Sequence, residues 1–378
     1  MAIPKNVFSA GDPILAEEIN ENFEELWAGY DAIVSPSGNE YSTIGGALTD
    51  GKKKIFVKNG NYTELSITIT QNNTLIVGES KEGVIITSSV NGPDSKAIDI
   101  NADNVSLKNL TIKGHLTDVT PDTESIIYIS KNQAKGIIIN NCNFFDTKGR
   151  FIYGNYAEIK AYNSLFDGTS KIAQWNSLIS DLGMGSVILG CRIISQKTNN
   201  TYMPVIDYWY GGLIQGCSIE GDVISITLDN PSKMIGCEVK ARRCYLNSGN
   251  FIGNYFDNDG KDPGTNWMIL LYNGIFIGNK IRLSYSARPL LYCTNRVIIC
   301  NNYFEWGSRI KFDAPYAIFC NNEWGGLGSG FVMTIELTSN ANRCQVNHNI
   351  IIGGGDSTPV IADAGTGSNK LNNILYKE

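Results

Sequence analysis

The chain has 378 residues, of which 42% are hydrophobic and 18% are charged, and its formal net charge is −6. The negative charge disfavours nucleic acid and anionic membranes as partners, and without a run of about 18 apolar residues the sequence predicts no membrane insertion. Two histidines and nine cysteines without Cys-x-x-Cys pairs predict neither a metal site nor a cofactor. The start of the chain has no basic leader before an apolar core, so we expect no secretory signal and reduced thiols.

The first 28 residues predict one amphipathic helix from Ile14 to Trp27. Asp12 and Pro13 supply a cap and a first-turn proline. Apolar residues recur at helical spacing at Leu15, Ile19, Phe23, Leu26 and Trp27. So short a helix is marginal alone in water, so we expect it to dock on the rest of the chain or on copies of itself.

Residues 29–115 predict the start of a β-solenoid. The segment 41–64 predicts a short helix, a strand and then a turn at Gly60 and Asn61. Two further strand-rich segments follow over 67–80 and 83–89.

A six-residue pattern then recurs nine times: apolar, any residue, a bend residue, Asn or Cys, any residue, apolar. The bend residues are Asn141, Gly190, Gly216, Gly236, Gly253, Gly278, Asn301, Asn321 and His348. The residues that follow them are Cys142, Cys191, Cys217, Cys237, Asn254, Asn279, Asn302, Asn322 and Asn349. With a degenerate copy that places Asn163 in the fourth position, the mean period is about 23 residues.

The pattern predicts two short strands joined by a single left-handed residue. Gly and Asn enter that backbone region at the lowest cost. The fourth residue then points inward, where Asn can bond to the same Asn one coil away and Cys can fill the space as a small apolar group. We therefore predict an all-β fold, a right-handed single-stranded parallel β-helix over residues 29–378, with initial coils over 29–115 and regular coils over 104–376.

The initial coils resemble those of pectate-lyase-like and pectin-methylesterase-like β-helix proteins. The matching residues are Tyr41, Ile44, Ala47, Leu48, Gly60, Tyr62, Glu64, Leu75, Ile76, Gly78 and Glu79. The resemblance concerns the fold alone, because neither the pectate-lyase residues nor the pectin-methylesterase residues that perform catalysis carry over to this chain. The Asp pair Asp257 and Asp259 lies in a loop instead of a calcium-binding strand, and Gln is nearly absent from the coils.

The N-terminal segment is similar to the first helix of many bacteriophage tailspike and tail fibre proteins. The similarity rests on Leu15, Ala16, Asn20, Asn22 and Phe23. It implies a homotrimer on a virion tail, made in the host cytoplasm and attached to other tail proteins through residues 1–28. It also implies bacterial surface polysaccharide as the partner.

Candidate site residues follow from counting back ten residues from the fourth position of three copies. This count reaches Tyr153, Asp181 and Asp207, and it predicts the two Asp carboxyls on adjacent coils, about 5 Å apart as in a retaining glycosidase. Aromatic residues suited to stacking on sugar rings accompany them at Tyr153, Tyr202, Tyr208, Trp209 and Tyr210. The alternative is that both Asp residues form turns and that the aromatic residues partly pack the core.

A second column contains residues of alternating charge. It comprises Glu220, Lys240, Asp257, Arg282 and Glu305. We interpret it as an exposed ladder of ion pairs that keeps the strands in register, and not as a site.

Three functions remain open from the sequence. The first is a tailspike-like protein that binds, and in one version depolymerises, bacterial surface polysaccharide. The second is a non-enzymatic structural fibre or adhesion protein. The third, a free polysaccharide lyase or hydrolase, is disfavoured by the predicted lack of a secretory signal and by the phage-like helix.

Overall fold

The structure is a computed structural model of the chain. It describes residues 29–38, 40–89, 96–114, 125–145, 149–168, 178–195, 203–229, 232–258, 260, 263, 267–283, 289–305, 307–325, 334–353 and 360–377. The helix predicted within residues 1–28 lies outside these ranges.

The described strands form the parallel β-helix that the repeat predicts, with three faces that we name A, B and C. Face A contains Ala32–Val34, Lys54–Val57, Leu75–Gly78, Ser106–Lys108, Ile137–Asn140, Ile159–Tyr162, Val187–Leu189, Leu213–Gln215, Lys233–Ile235, Asn250–Ile252, Gly274–Ile277, Val297–Cys300, Ile318–Cys320 and Gln345–Asn347. Face B contains Gly60–Glu64, Val84–Ser88, Thr111–Lys113, Asn143–Phe145, Leu165–Gly168, Arg192–Ser195, Tyr255–Asp257, Lys280–Arg282, Tyr303–Glu305, Glu323–Gly325, Ile350–Gly353 and Ile374–Lys377. Face C contains Ile67–Ile69, Lys96–Ile100, Ser125–Ile129, Arg150–Ala157, Ile179–Leu182, Met203–Tyr210, Ile269–Leu271, Pro289–Cys293, Arg309–Phe312, Thr334–Leu337 and Val360–Asp363. Two long strands, Ser218–Asp229 and Glu238–Asn247, run from face B into face C.

Each coil visits faces A, B and C in turn, and each strand pairs in parallel with the strand of the same face one coil later. The 14 strands of face A, at the usual spacing of strands in a sheet, make the described solenoid about 60 Å long. Surface positions on one face are therefore stacked in columns along the axis.

The initial coils contain the predicted short helix, α1, over Ile44–Thr49. Its N-cap is Thr43, whose hydroxyl accepts a hydrogen bond from the Gly46 N–H at 3.1 Å. The predicted turn at Gly60 and Asn61 is wrong, because both residues belong to the strand Gly60–Glu64. In that strand Tyr62 alternates inward and is 3% exposed, so burial of its ring favours a strand over a turn.

The predicted bends between faces A and B are confirmed at all nine positions. Their φ angles lie between +52° and +66°, the left-handed region. The degenerate copy of the pattern begins one residue later than predicted, at Ala161. Asn163 is itself the bend residue at φ +47°, and Ser164 follows it as the inward residue, with its hydroxyl accepting from the Cys142 N–H at 3.1 Å.

The inward column behind the bends is also confirmed. All nine predicted fourth-position residues are at most 2% exposed. Asn254 donates from Nδ2 to Asn279 Oδ1 at 3.0 Å, and the same bond repeats through Asn302, Asn322 and Asn349 at 2.9–3.0 Å. The polar column therefore satisfies its own hydrogen bonds inside an apolar core.

The rest of the core consists of apolar side chains stacked in register. Phe144 and Phe166 are cross-coil partners whose rings stack at 4.9 Å, and Phe151 tilts against Phe166 at 5.8 Å. Burial of each such ring stabilises the fold by about 2–3 kcal/mol relative to exposure.

The charge ladder on face B is confirmed as a register column. The strand pairing places Glu220, Lys240, Asp257, Arg282 and Glu305 opposite one another in that order. Arg282 lies 3.8 Å from Asp257 and 3.7 Å from Glu305, whereas Lys240 pairs with Glu238 on its own strand at 3.1 Å. Exposed pairs of this kind each contribute at most about 1 kcal/mol, in keeping with a structural role.

Candidate functional site

Two columns of polar and aromatic residues run along the first part of face C. The longer column contains, coil by coil, Asp99, Tyr128, Tyr153, Ser180 and the position of Asp207. The shorter column contains Lys96, Ser125 and Arg150. Ile98, Ile127 and Ile152 of the same strands point into the core, so the residues that follow them, Asp99, Tyr128 and Tyr153, point outward.

Two tyrosine rings form the centre of this surface. Tyr128 and Tyr153 stack with centroids 5.1 Å apart and planes at 11°. The Lys96 ammonium lies 3.6 Å from the centre of the Tyr128 ring and 3.6 Å from Asp99 Oδ2, and the Arg150 guanidinium lies 5.2 Å from the Tyr153 ring. We call these five residues the tyrosine platform.

The side chains of this column become much smaller one coil after Tyr153, at Ser180. Tyr128 covers one face of the Tyr153 ring, and the other face is directed to the coil of Ser180, whose side chain is a single hydroxymethyl group. The following coil brings Asp207 to the same column. An aromatic face with hydroxyl and carboxylate groups beside it, here those of Ser180 and Asp99, can stack on the apolar face of a sugar ring and bond to its hydroxyls.

Several buried oxygens of this region have no hydrogen-bond partner in the described structure. They are Asp99 Oδ1, Ser125 Oγ and Ser180 Oγ. Ser125 and Ser180 are 4% and 2% exposed. Because buried polar atoms in native proteins nearly always have partners, three such oxygens in one region indicate a place where a ligand or water completes the bonding.

The backbone next to the platform is bulged. The register shifts between Tyr153 and Ala157, and Asn155, Tyr156 and Asp181 have φ angles of +45°, +61° and +56°. Here Gly183 lets two coils approach, because a Cβ on it would lie 1.9 Å from the Tyr156 carbonyl oxygen. Bulges and left-handed non-glycine residues concentrate next to binding and active sites.

The bulge also borders a pocket at the corner between faces C and A. Its volume is about 320 Å³, and its lining residues are Gln133, Ala134, Lys135, Tyr156, Glu158, Gly183 and Met184. Tyr156 and Met184 are 46% and 79% exposed. The pocket extends the candidate site beyond the platform and adds the Lys135 ammonium, the Glu158 carboxylate and the exposed Tyr156 ring.

The predicted alignment of Asp181 with Asp207 is wrong by one residue. Ser180 pairs with Asp207, and Leu182 pairs with Trp209. The cause is the corner that follows: four residues separate Leu182 from the face A strand at Val187, but three separate Trp209 from its counterpart at Leu213. A count of ten residues back from the inward column therefore reaches Asp181 and Asp207, which differ by one position in the register of face C.

Those of the predicted site residues that the structure describes fall on the same face. Tyr153 shares the column of Asp207, and Asp181 lies beside Tyr153 at the bulge. Burial chiefly, and the Asp181 carboxylate next, raise the pKa of Tyr153. Tyr208, Trp209 and Tyr210 belong to the face C strand Met203–Tyr210, and Tyr202 lies outside the described residues.

Sequence reasoning missed Lys96, Asp99 and Tyr128. The backward count used the copies at Asn163, Cys191 and Cys217, which come after the coils that carry these residues. A signal was present, since an Ile-Tyr pair occurs both at Tyr128 and at Tyr153, and the two pairs are aligned in the structure.

The described ranges contain neither a metal-binding cluster nor a membrane-spanning helix. No group of three or more His, Cys, Asp or Glu residues there is arranged to hold a metal ion. Over the same part of the chain, no helix is long and apolar enough to span a bilayer.

No protein-family model matches the chain. A stretch of 97 residues is 32% identical to the lectin-like protein EP153R of African swine fever virus, and the match covers 24% of this chain and 63% of the relative, under two thirds of its length.

Solved structures with a similar chain path include carbohydrate-active enzymes. Pectin methylesterase PemA from Erwinia chrysanthemi is 17% identical over 74% of this chain and 80% of its own, with a TM-score of 0.23. The catalytic domain of a GH87 α-1,3-glucanase in complex with tetrasaccharides is 13% identical over 90% of this chain and 65% of its own, with a TM-score of 0.38. The Aspergillus niger pectin methylesterase is 14% identical over 92% and 89%, with a TM-score of 0.24. Similarities at this level carry no conclusion about activity.

Proposed function

We propose that the chain binds bacterial surface polysaccharide through the tyrosine platform and the adjoining bulge on face C. The observation that carries the proposal is the Tyr128–Tyr153 stack with charged groups beside it and unpartnered buried oxygens around it. Sugar rings present apolar C–H faces to aromatic rings and hydroxyls to carboxylates, cations and serine oxygens. The partial match to a viral lectin-like protein adds support for a carbohydrate ligand.

The cellular setting is part of the same proposal. The phage-like segment at Leu15–Phe23 supports a homotrimeric tailspike or fibre on a virion tail, joined to other tail proteins through residues 1–28. Light scattering on the purified chain tests the assembly, and a monomer of 41.4 kDa at micromolar concentration contradicts it.

Binding is tested by removing the rings. We expect Tyr128→Ala combined with Tyr153→Ala to weaken binding to immobilised capsule or lipopolysaccharide by about tenfold or more, since stacked rings each contribute about 1 kcal/mol. The matched control is Tyr303→Ala on face B. Tyr303 is 36% exposed, and the Lys280 ammonium lies 5.6 Å from the centre of its ring, so this tyrosine also has a lysine beside it. Equal losses in both variants, or none in the double variant, contradict the proposal.

Cleavage of the bound polysaccharide is the second part of the proposal, with Asp181 and Asp207, which lie on adjacent coils one register position apart, as the acid and the nucleophile. We expect Asp181→Asn and Asp207→Asn each to reduce release of oligosaccharides by about 10²-fold or more while binding persists. Reducing-end assays on the same polysaccharides provide the measurement. Unchanged release in both variants rules out this pair, and binding without release by the unaltered chain favours the non-enzymatic fibre.

A further inference from the structure

Two of the nine cysteines differ from the others in exposure. All nine thiols are free, and seven are buried, but Cys300 and Cys320 are half-buried. They are the last residues of adjacent face A strands and are direct cross-strand partners. Their neighbours Ile299 and Phe319 are 0% and 1% exposed and point into the core, so both thiols point outward.

The spacing of the pair suits a disulfide. Neighbouring strands bring in-register Cα atoms to about 4.8 Å, within the range of roughly 4.4–6.8 Å that disulfides span. Both side chains leave the sheet in the same direction, and the Cys300 and Cys320 carbonyls each accept a backbone hydrogen bond, from Gly278 and Asn301, which fixes the two strands. No large backbone movement is therefore needed to join the sulfurs.

The surroundings of Cys300 lower the reactivity of its thiol. The next outward residue on one side of the column is Ile277, and Ile298 and Ile318 form the neighbouring column. Burial by these groups, and the nearby Cys320 thiol, raise the pKa of Cys300 to about 12. Little Cys300 thiolate is present near neutral pH, so oxidation of this thiol is slow and is favoured by an external disulfide in excess.

We propose that Cys300 and Cys320 form an intrachain disulfide when the folded protein meets an oxidising medium that contains small-molecule disulfides. One thiolate attacks the external disulfide, forms a mixed disulfide and releases one small thiolate. The second cysteine thiolate then attacks the protein sulfur of the mixed disulfide and releases the other small thiolate. Two protons leave the cysteines, which lose two electrons in total, and the external disulfide is reduced to two thiols.

The bond joins two successive coils on a face that is separate from the tyrosine platform. It closes a loop of about 20 residues in the unfolded chain, which restricts that state and stabilises the fold. We expect the midpoint of thermal unfolding to rise by about 5 °C on oxidation.

The test incubates the full chain with excess oxidised glutathione, blocks remaining thiols with N-ethylmaleimide, and maps peptides by mass spectrometry without reduction. We expect a peptide pair joined at Cys300 and Cys320 and an increased unfolding temperature. Cys300→Ser and Cys320→Ser should each stop at a glutathione adduct on the remaining thiol and show no such increase.

A matched control is present in the chain. Cys217 and Cys237 are also neighbours on successive coils, with the Cys217 N–H 3.4 Å from Cys237 Sγ, but both are only 2% exposed and should stay reduced. The proposal is overturned if Cys300 and Cys320 remain free after oxidation. It is also overturned if both carry stable glutathione adducts, or if they cross-link separate chains instead.

Discussion

Replacing Asn302 with alanine is expected to lower the free energy of unfolding by about 3–5 kcal/mol. Asn302 Oδ1 accepts from the backbone N–H and from Nδ2 of Asn279 at 2.8 and 3.0 Å. Its Nδ2 donates to Asn322 Oδ1 at 2.9 Å and to the Phe276 carbonyl at 2.9 Å. The alanine variant leaves a buried N–H and a buried carbonyl without these partners, and each such group costs about 1–3 kcal/mol.

The matched control for this prediction is Cys217→Ala in the same inward column. Cys217 is equally buried, but the hydrogen bonds of a thiol are weak, as in those it donates to the Ile188 and Gln215 carbonyls at 3.5 and 3.4 Å. We expect a loss of about 1–1.5 kcal/mol, mainly from the removed volume. Urea unfolding followed by circular dichroism compares the two variants. Equal losses would show that the asparagine column acts only by filling space.

Replacing Gly274 with alanine should destabilise the fold by at least about 3 kcal/mol. Gly274 has φ +112°, where a side chain is strained, and an added Cβ would lie 2.2 Å from the Gly249 carbonyl oxygen. That oxygen belongs to the backbone of the preceding coil, so relief of the clash requires the two coils to separate at the corner between faces C and A.

The control is the same substitution at Gly253. Its φ is +62°, but a Cβ there meets no atom within 4 Å. Only the left-handed backbone is penalised, so we expect a loss of about 1–2 kcal/mol. Thermal unfolding of both variants separates the two effects. A Gly274→Ala variant no less stable than Gly253→Ala contradicts the close approach of the coils.

The local pattern predicted the fold because each bend is decided by one residue. Asn141 and His348 occupy the same backbone region although their side chains differ, since the bend depends on low strain in the left-handed region. The repeat was misplaced only at Asn163, which occupies the third position of its copy, with Ser164 in the fourth. The pattern had allowed only Asn or Cys in the fourth position, and so it placed Asn163 there.

The site was harder to predict because it depends on counts across irregular corners. The face C strands of Asp181 and Asp207 are followed by corners of different length, which moved Asp181 out of the column that Asp207 shares with Tyr153. The bulge at Tyr156 has no periodic signature, because an inserted left-handed residue interrupts the strand pattern. The stack with Tyr128 arises from pairing between coils that the repeat count did not include.

We propose that the polysaccharide is bound on face C at the tyrosine platform. Crystals of the full chain soaked with oligosaccharides from a bound surface polysaccharide test it most directly. We expect density for a sugar ring in contact with Tyr128 or Tyr153 and within hydrogen-bond distance of Asp99 or Ser180. Density confined to face A or to the charge ladder of face B contradicts the claim.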